Sequence, residues 1–495
     1  MISSVLDFLA DHASPELPVV SDLDRDYSSA DLLLRSAALS AQLQDQQVQR
    51  LGLCTDNGID WLLADLVCQQ QDICILPLPT FFTLAQKQYA MRACGIDSLI
   101  TDDVALVDAL GATAELPATG SEDTRLSLYR LAATESLPQL PAGTGKITFT
   151  SGSTGTPRGV CLSHSQQLRQ AQALKAVVAI KQPRHLCLLP LSTLLENVAG
   201  VYAPLLAGGE IIVPRQEMLG FQGSMLKSPQ QLLATISKVN PQTLILVPQL
   251  LQVLVGAVKQ GWSPPGSLQF IAVGGSRVSS RLLGAAKDCG LPVFEGYGLS
   301  ECCSVVALNT PATELAGSCG KPLPGLEVEI VDNEVRVSHN AMLGYVGEPD
   351  SWHPTTVATG DLGYLDSDGF LHIDGRSKNL LISSFGRNIS PEWVEAELLA
   401  NPALAEAVVF GDARPYCSAL LSLRDKAYTE AQLEQWLQKV NQGLPDYAQI
   451  KSWQLLPAAI AARPGMYTDN GRPRRDRIAA EYADEIEDLY QVQAA

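Results

Sequence analysis

The sequence is short of positive charge. Over 495 residues, 35 lysines and arginines stand against 53 aspartates and glutamates, a net charge of −18. This excludes a general nucleic-acid binder, whose phosphate partners require a positive footprint, and a polybasic anchor on an anionic membrane. Cysteine pairing is lacking as well. The eleven cysteines are odd in number and never spaced as CxxC, and Cys54, Cys68, Cys74 and Cys187 sit in apolar runs. Such cysteines suit reduced core thiols in a cytoplasmic protein, not a disulfide scaffold. The six histidines, His164 among them, show no metal-ligand spacing. The longest apolar stretch, Thr243 to Val258, is broken by Pro248, Gln249 and Gln252 and is too short to cross a bilayer. The opening residues, MISSVLDFLADHASPE, lack a basic start and carry Asp7 and Asp11, unlike a signal peptide. Neither an internal repeat nor a low-complexity segment is found.

What is present is the composition of a folded chain, 46% hydrophobic and 18% charged. The length suits two or more domains with a sizeable core. Over the first three fifths, short apolar runs (RLGLC, ICILPL, ITFT, HLCLLPL, EIIV, TLILVP, LQFIAVGG, PVFEG) alternate with helical patterns. The first long helix is capped by Ser28 or Ser29. Strand–helix–strand at this spacing predicts an α/β fold with two doubly wound sheets. From Gly317 to Gly375 the runs are short and alternating, LEVEIV, EVRVS, LGYLD and FLHID, with a hairpin turn at Ser367 to Gly369. They predict a small antiparallel β unit. A small α+β C-terminal domain follows. The expected boundaries are 1–375 for the large domain, 376–378 for a hinge and 379–495 for the small domain.

Three stretches carry chemistry. ITFTSGSTGTPRGV, Ile147 to Val160, runs a strand into a loop of glycines and hydroxyls followed by Arg158. Glycines allow backbone N–H groups to approach an anion, and Arg158 adds charge. The loop is not of the GxxxxGK[ST] kind. Its composition also suits a flexible linker. FEGYGLSECC, Phe294 to Cys303, ends a strand on Tyr297 between glycines, with Glu301 four residues on. An aromatic ring can stack on a base and a carboxylate can hold Mg²⁺, although a tyrosine at a strand end also serves simple packing. The third stretch, Thr359 to Glu395, holds Asp361, Arg376 and Lys378, then Gly386 and Asn388 before a helix opened by Ser390 and Pro391. Two hairpins and a capped helix would account for it equally.

Taken in order, these stretches resemble the adenylate-forming superfamily of acyl-CoA synthetases, nonribosomal adenylation domains and luciferase. The first is similar to its phosphate loop, the second to YGxTE, and the third to TGD and the GRxK-to-GxNIxP core. IAVGGS (Ile271 to Ser276), LPLSTLLEN (Leu189 to Asn197) and GSCGKPLPG (Gly317 to Gly325) match further family segments. The resemblance spans about Ser28 to Arg477. It implies that ATP and a carboxylic acid form acyl-AMP, and that a thiol then displaces AMP. Thr150, Ser151, Gly152, Ser153, Thr154, Gly155 and Arg158 would then hold phosphate. Gly274, Gly275, Ser276, Glu295, Gly296, Tyr297, Asp361 and Arg376 would face adenine and ribose. Glu301 would bind Mg²⁺ and Ser300 would lie near the α-phosphate. The resemblance also assigns Lys378 to the hinge, Gly386 to the CoA channel, and Thr193, Glu196, Asn197 and Val201 to the acyl pocket.

Two positions depart from the family pattern. Arg472, in YTDNGRPRRDRI, stands where a catalytic lysine is usual, and Thr193 stands where histidine or an aromatic is usual. Arginine keeps the charge but is planar and fork-shaped. No aspartate occurs between Leu189 and Tyr202 to hold an amino group, and Glu196 matches the glutamate of long-chain acyl-CoA synthetases. The expected acid is therefore hydrophobic, a fatty acid first and an aromatic acid next. The acceptor is CoA or the phosphopantetheine of a separate acyl carrier protein. A third reading, drawn from Arg472, is a degenerate nucleotide or acyl binder. Cys302 and Cys303, beside Glu301, are expected to pack rather than react.

Overall fold

The computed structural model describes residues 2–112, 126–132, 138–150, 158–223, 225–384, 387–468 and 471–491, and the backbone of 114–117. Two mixed sheets with covering helices form the bulk of the fold. In the eight-stranded sheet, Arg50–Cys54 pairs in parallel with Cys74–Pro77 and Ser98–Thr101, and Cys74–Pro77 pairs in parallel with Lys146–Thr150. Arg158–Leu162, Gly344–Tyr345 and Ser127–Arg130 extend it in antiparallel fashion. In the nine-stranded sheet, Val293–Tyr297, Phe270–Val273, Thr243–Leu246, Arg184–Leu186, Glu210–Ile212 and Pro18–Ser21 run parallel. The expected α/β alternation is thus present, with antiparallel strands added at the sheet edges.

Local chemistry sets the element ends. Ser28 accepts from Asp31 N–H while Asp31 accepts from Ser28 N–H, a reciprocal cap on the helix Ser29–Asp45. HLCLLPL, read as one strand, pairs as a strand only over Arg184–Leu186. Its continuation has other uses for its N–H groups: Leu189 donates to Glu196 and Leu191 to Asn57, and Pro190 has none to give. The antiparallel unit is a four-stranded sheet of Glu327–Val331, Glu334–Ser338, Thr356–Leu365 and Leu371–Arg376. In the turn between the last two strands, Asp366 accepts from the N–H groups of Asp368 and Phe370.

The last hundred residues have their own three-stranded sheet, Leu404–Phe410, Cys417–Leu423 and Ile450–Leu455, and their own apolar clusters around Val394, Leu437 and Ile478. Glu397 is one of the residues through which this part touches the rest. One Glu397 oxygen accepts from Ser280 N–H, at the start of the helix Ser280–Asp288, at 3.1 Å, and the other accepts from Arg281 Nε at 3.0 Å.

A charged network lies between the two large sheets. Lys146 Nζ is 2.7 Å from Asp65 Oδ1 and donates to Tyr202 Oη at 2.9 Å. Asn197 Nδ2 and Tyr202 O–H donate to Asp65 Oδ2 at 2.8 and 2.6 Å. Lys146 is 2% exposed and Asp65 0%, so each charge has lost its water and depends on the other. Lys146→Met, which strands the Asp65 carboxylate, should destabilise the protein by about 3–5 kcal/mol. Adding Asp65→Leu should recover most of that loss. The urea midpoint measures both effects, and a single variant melting with its parent would contradict this role.

Candidate active site

Parallel strands end where α/β sheets bind ligands, at their carboxyl ends. Phe270–Val273 and Val293–Tyr297 run side by side and deliver Gly274, Gly275 and Tyr297 to the same rim. The backbones there are close: a Cβ at Gly274 would lie 2.9 Å from the Gly296 carbonyl oxygen. Only glycine permits that approach, which leaves a flat backbone face with Gly275 and Ser276 exposed. Glu295 projects from the same strand. Burial pushes its carboxyl up to about 7, against the charge of Arg277 and the N–H of Val278.

The third stretch meets this rim. Asp361 and Arg376 are register partners on adjacent strands, and Arg376 Nε lies 2.6 Å from Asp361 Oδ1. Tyr297 O–H donates to Asp361 Oδ2 at 2.6 Å. Asp361 is buried, and burial raises its carboxyl pKa even with Arg376 beside it. Burial and the Asp361 charge push the Tyr297 phenol well up, so it stays a protonated donor. Tyr297, Asp361 and Arg376, which the sequence spreads over two motifs, form one hydrogen-bonded triad.

Arg472 comes to the site from the C-terminal part. Its Nη2 donates to the Gly275 carbonyl oxygen at 3.1 Å. The residue is exposed overall, but the protein packed around its side chain and the Arg376 charge lower its pKa, while Asp361, Glu392 and Glu301 oppose that. Lys378 lies in the same field: burial, Arg376 and Arg472 lower its pKa. Three cations thus converge near one buried carboxylate, an arrangement that suits an incoming anion.

Glu301 lies on the turn Ser300–Cys302, and its Oε1 accepts from Tyr345 O–H at 3.0 Å. A partly buried carboxylate with acceptor capacity beyond that one bond is a hard oxygen donor, and it fits Mg²⁺. Cys302 and Cys303 behind it are buried with their thiol pKa values pushed up, which fits packing. Thr150 ends its strand with Oγ1 toward the Arg158 carbonyl at 3.5 Å. Ser151, Gly152, Ser153, Thr154, Gly155 and Gly386 lie outside the described residues. Arg158 pairs with Glu348 and stacks on Tyr345, two partners that no sequence motif pointed to.

The residues expected at the acyl pocket are placed differently. Glu196 is fully buried and uses both oxygens internally, with His185 Nε2 at 2.9 Å and Leu189 N–H at 3.0 Å. Asn197 belongs to the Lys146–Asp65 network, and Val201 is in the core. The helix that carries them is wound as a π-helix over Glu196–Tyr202, which turns these side chains inward. Thr193 is half-buried and donates to the Pro190 carbonyl at 2.6 Å.

Comparisons with known proteins identify the family and the fold. Residues 9–348 match the AMP-binding enzyme family and residues 378–494 the AMP-binding enzyme C-terminal domain. The 2-succinylbenzoate–CoA ligase of Bacillus pumilus is 26% identical over 81% of this chain and 83% of its own. The long-chain-fatty-acid–CoA ligase FadD15 of Mycobacterium bovis is 24% identical over 70% of this chain and 69% of its own. The fold superposes on the anthranilate CoA ligase AuaEII, solved with anthranoyl-AMP, with a TM-score of 0.80 at 18% identity over 97% of both chains. With both parts of its length matched in order, the chain belongs to the AMP-binding enzyme family, the adenylate-forming superfamily.

Proposed function

We propose that the protein is an ATP-dependent acid–CoA ligase acting on a hydrophobic carboxylic acid. The observation that carries this reading is the meeting of Tyr297, Asp361 and Arg376 with Arg472 at the exposed backbone of Gly275. In the first step a carboxylate oxygen attacks the α-phosphorus of ATP, and the bond to the β-phosphate oxygen breaks to release pyrophosphate. In the second step a thiol sulfur attacks the acyl carbon, AMP leaves with the bonding electrons of the mixed anhydride, and the thiol proton passes to solvent.

The chain's own residues divide this work. Tyr297 and the Gly274–Gly275 backbone supply a flat face for adenine, and Asp361 with Arg376 takes the ribose hydroxyls. Arg472 meets negative charge growing at the α-phosphoryl oxygens, where a donor placed in advance is most effective. Glu301 would hold Mg²⁺, which when bound neutralises phosphate oxygens. Lys378 ends the 376–378 hinge about which the small C-terminal domain, 379–495, turns.

A fatty acid is the leading substrate, supported by the FadD15 relative. An aryl acid is the second reading, favoured by the 2-succinylbenzoate–CoA ligase relative, whose match covers more of both chains. The eleven unpaired cysteines support a reducing, cytoplasmic setting. ATP–pyrophosphate exchange with long-chain fatty acids and substituted benzoates identifies the acid, and adding CoA or a holo acyl carrier protein identifies the acceptor. AMP and pyrophosphate are the expected products; ADP as the stoichiometric product would refute the assignment.

Two variants test the roles. Glu301→Gln should raise the Mg²⁺ concentration needed for adenylation, because a neutral amide is a poorer ligand for a hard cation. Unchanged Mg²⁺ dependence would count against it. Arg472→Ala should slow acyl-AMP formation by a factor on the order of a hundred or more, yet spare thioester formation from supplied acyl-AMP. Arg472→Lys should keep or raise activity. Equal losses in both half-reactions, or none in either, would reject the role.

A further inference from the structure

Beside the nucleotide-facing residues lies a row of four side chains, two of which have no part in the reading above. Arg158 directs Nε and Nη2 at the two oxygens of Glu348, with Nε–Oε1 at 2.9 Å. Its guanidinium carbon stands 3.6 Å from the centre of the Tyr345 ring. The same Tyr345 donates its O–H to Glu301 Oε1 at 3.0 Å. The row therefore joins the cation after the phosphate loop to the carboxylate proposed for Mg²⁺.

The bend that presents Tyr345 and Glu348 is firmly held. Gly344–Tyr345 pairs with the strand that starts at Arg158. Ser351 Oγ accepts from Tyr345 N–H at 2.9 Å and donates to the Glu348 carbonyl at 2.6 Å. Trp352 Nε1 donates to the Tyr345 carbonyl at 3.0 Å. Gly344 has φ +136, and a Cβ there would strike Trp352. An arginine side chain left alone samples many rotamers. Here one edge is forked by a carboxylate and one face is stacked on a ring, so the guanidinium plane is set, and Nη1 has no partner among the described residues.

The geometry points to Tyr345 and Glu348 as positioning residues: Glu348 sets the plane of Arg158, and Tyr345 ties that cation to Glu301, so that the phosphate and metal contacts are aligned as one unit. This rests on the ATP-dependent reading proposed above. It also implies that Glu348 aids nucleotide binding although it is negatively charged.

The test is pyrophosphate exchange by the full chain, with KM for ATP, KM for the acid and the Mg²⁺ titration measured separately. Both partners of the Arg158–Glu348 pair are about 40% exposed, so Glu348→Ala should raise KM for ATP by only about threefold to fivefold. KM for the acid, kcat and the melting temperature should hold, and Glu348→Gln, which keeps one acceptor, should fall between. Tyr345→Phe keeps the ring and loses the hydroxyl; it should shift the Mg²⁺ titration upward. A KM for ATP that is unchanged or lowered in Glu348→Ala, or a parallel rise in both KM values, overturns the inference while exchange by the parent protein stands. A parent protein without exchange for any acid overturns the functional reading and this inference together.

Discussion

The buried pair of Lys146 and Asp65 joins elements of both large sheets through one charged network. A lysine and an aspartate without water are tolerable only when each holds the other and their remaining donors and acceptors are filled. Asn197 and Tyr202 fill them here. The network ties the strand Lys146–Thr150 in one sheet to the helix Ile59–Gln71 and to the π-helix Glu196–Tyr202, which packs against the other sheet. Thr150, at the end of that strand, is thereby anchored to both layers. The same demand explains why Asn197 is not available to a substrate.

The proposed site gathers charge that is not fully neutralised. After burial, the Arg376 charge lowers the pKa values of Lys378 and Arg472, Arg472 adds to the effect on Lys378, and Asp361 is the buried carboxylate among them. Such a cluster is at its best when an anion arrives. Only Arg376 is committed to Asp361 through a short ion pair. Arg472 rests on a carbonyl oxygen, a partner that a phosphate oxygen readily outcompetes because it carries charge.

Much of the architecture was legible because it is written in local periodicity. The strand RLGLC and the helix capped by Ser28 have the alternation and the cap that such elements need, and both occur where the pattern puts them. The Tyr297–Asp361–Arg376 triad was legible as residues but not as bonds, because its members come from motifs 64 residues apart. Contacts that join distant charges left no local trace. Arg158 and Glu348 are separated by 190 residues, and Lys146 lies in a strand whose neighbours read as apolar. Glu196 shows the opposite case. Its place in a familiar motif suggested a substrate face, yet a π-helical turn directs it to His185 and to a backbone N–H.

Glu397 has a consequence for how the two parts of the chain hold together. Its carboxylate caps the first turn of a helix that belongs to the other part and also neutralises Arg281 there. Any turn of the C-terminal part must leave that helix start to water and separate the charges. Arg281 is partly exposed but Glu397 is buried, so the pair is screened less than a surface pair by dissolved ions, whose screening length shortens from about 10 Å at 0.1 M to about 3 Å at 1 M. Rising ionic strength therefore weakens this hold only in part, and the contact between the two parts persists in salt that would loosen a surface pair.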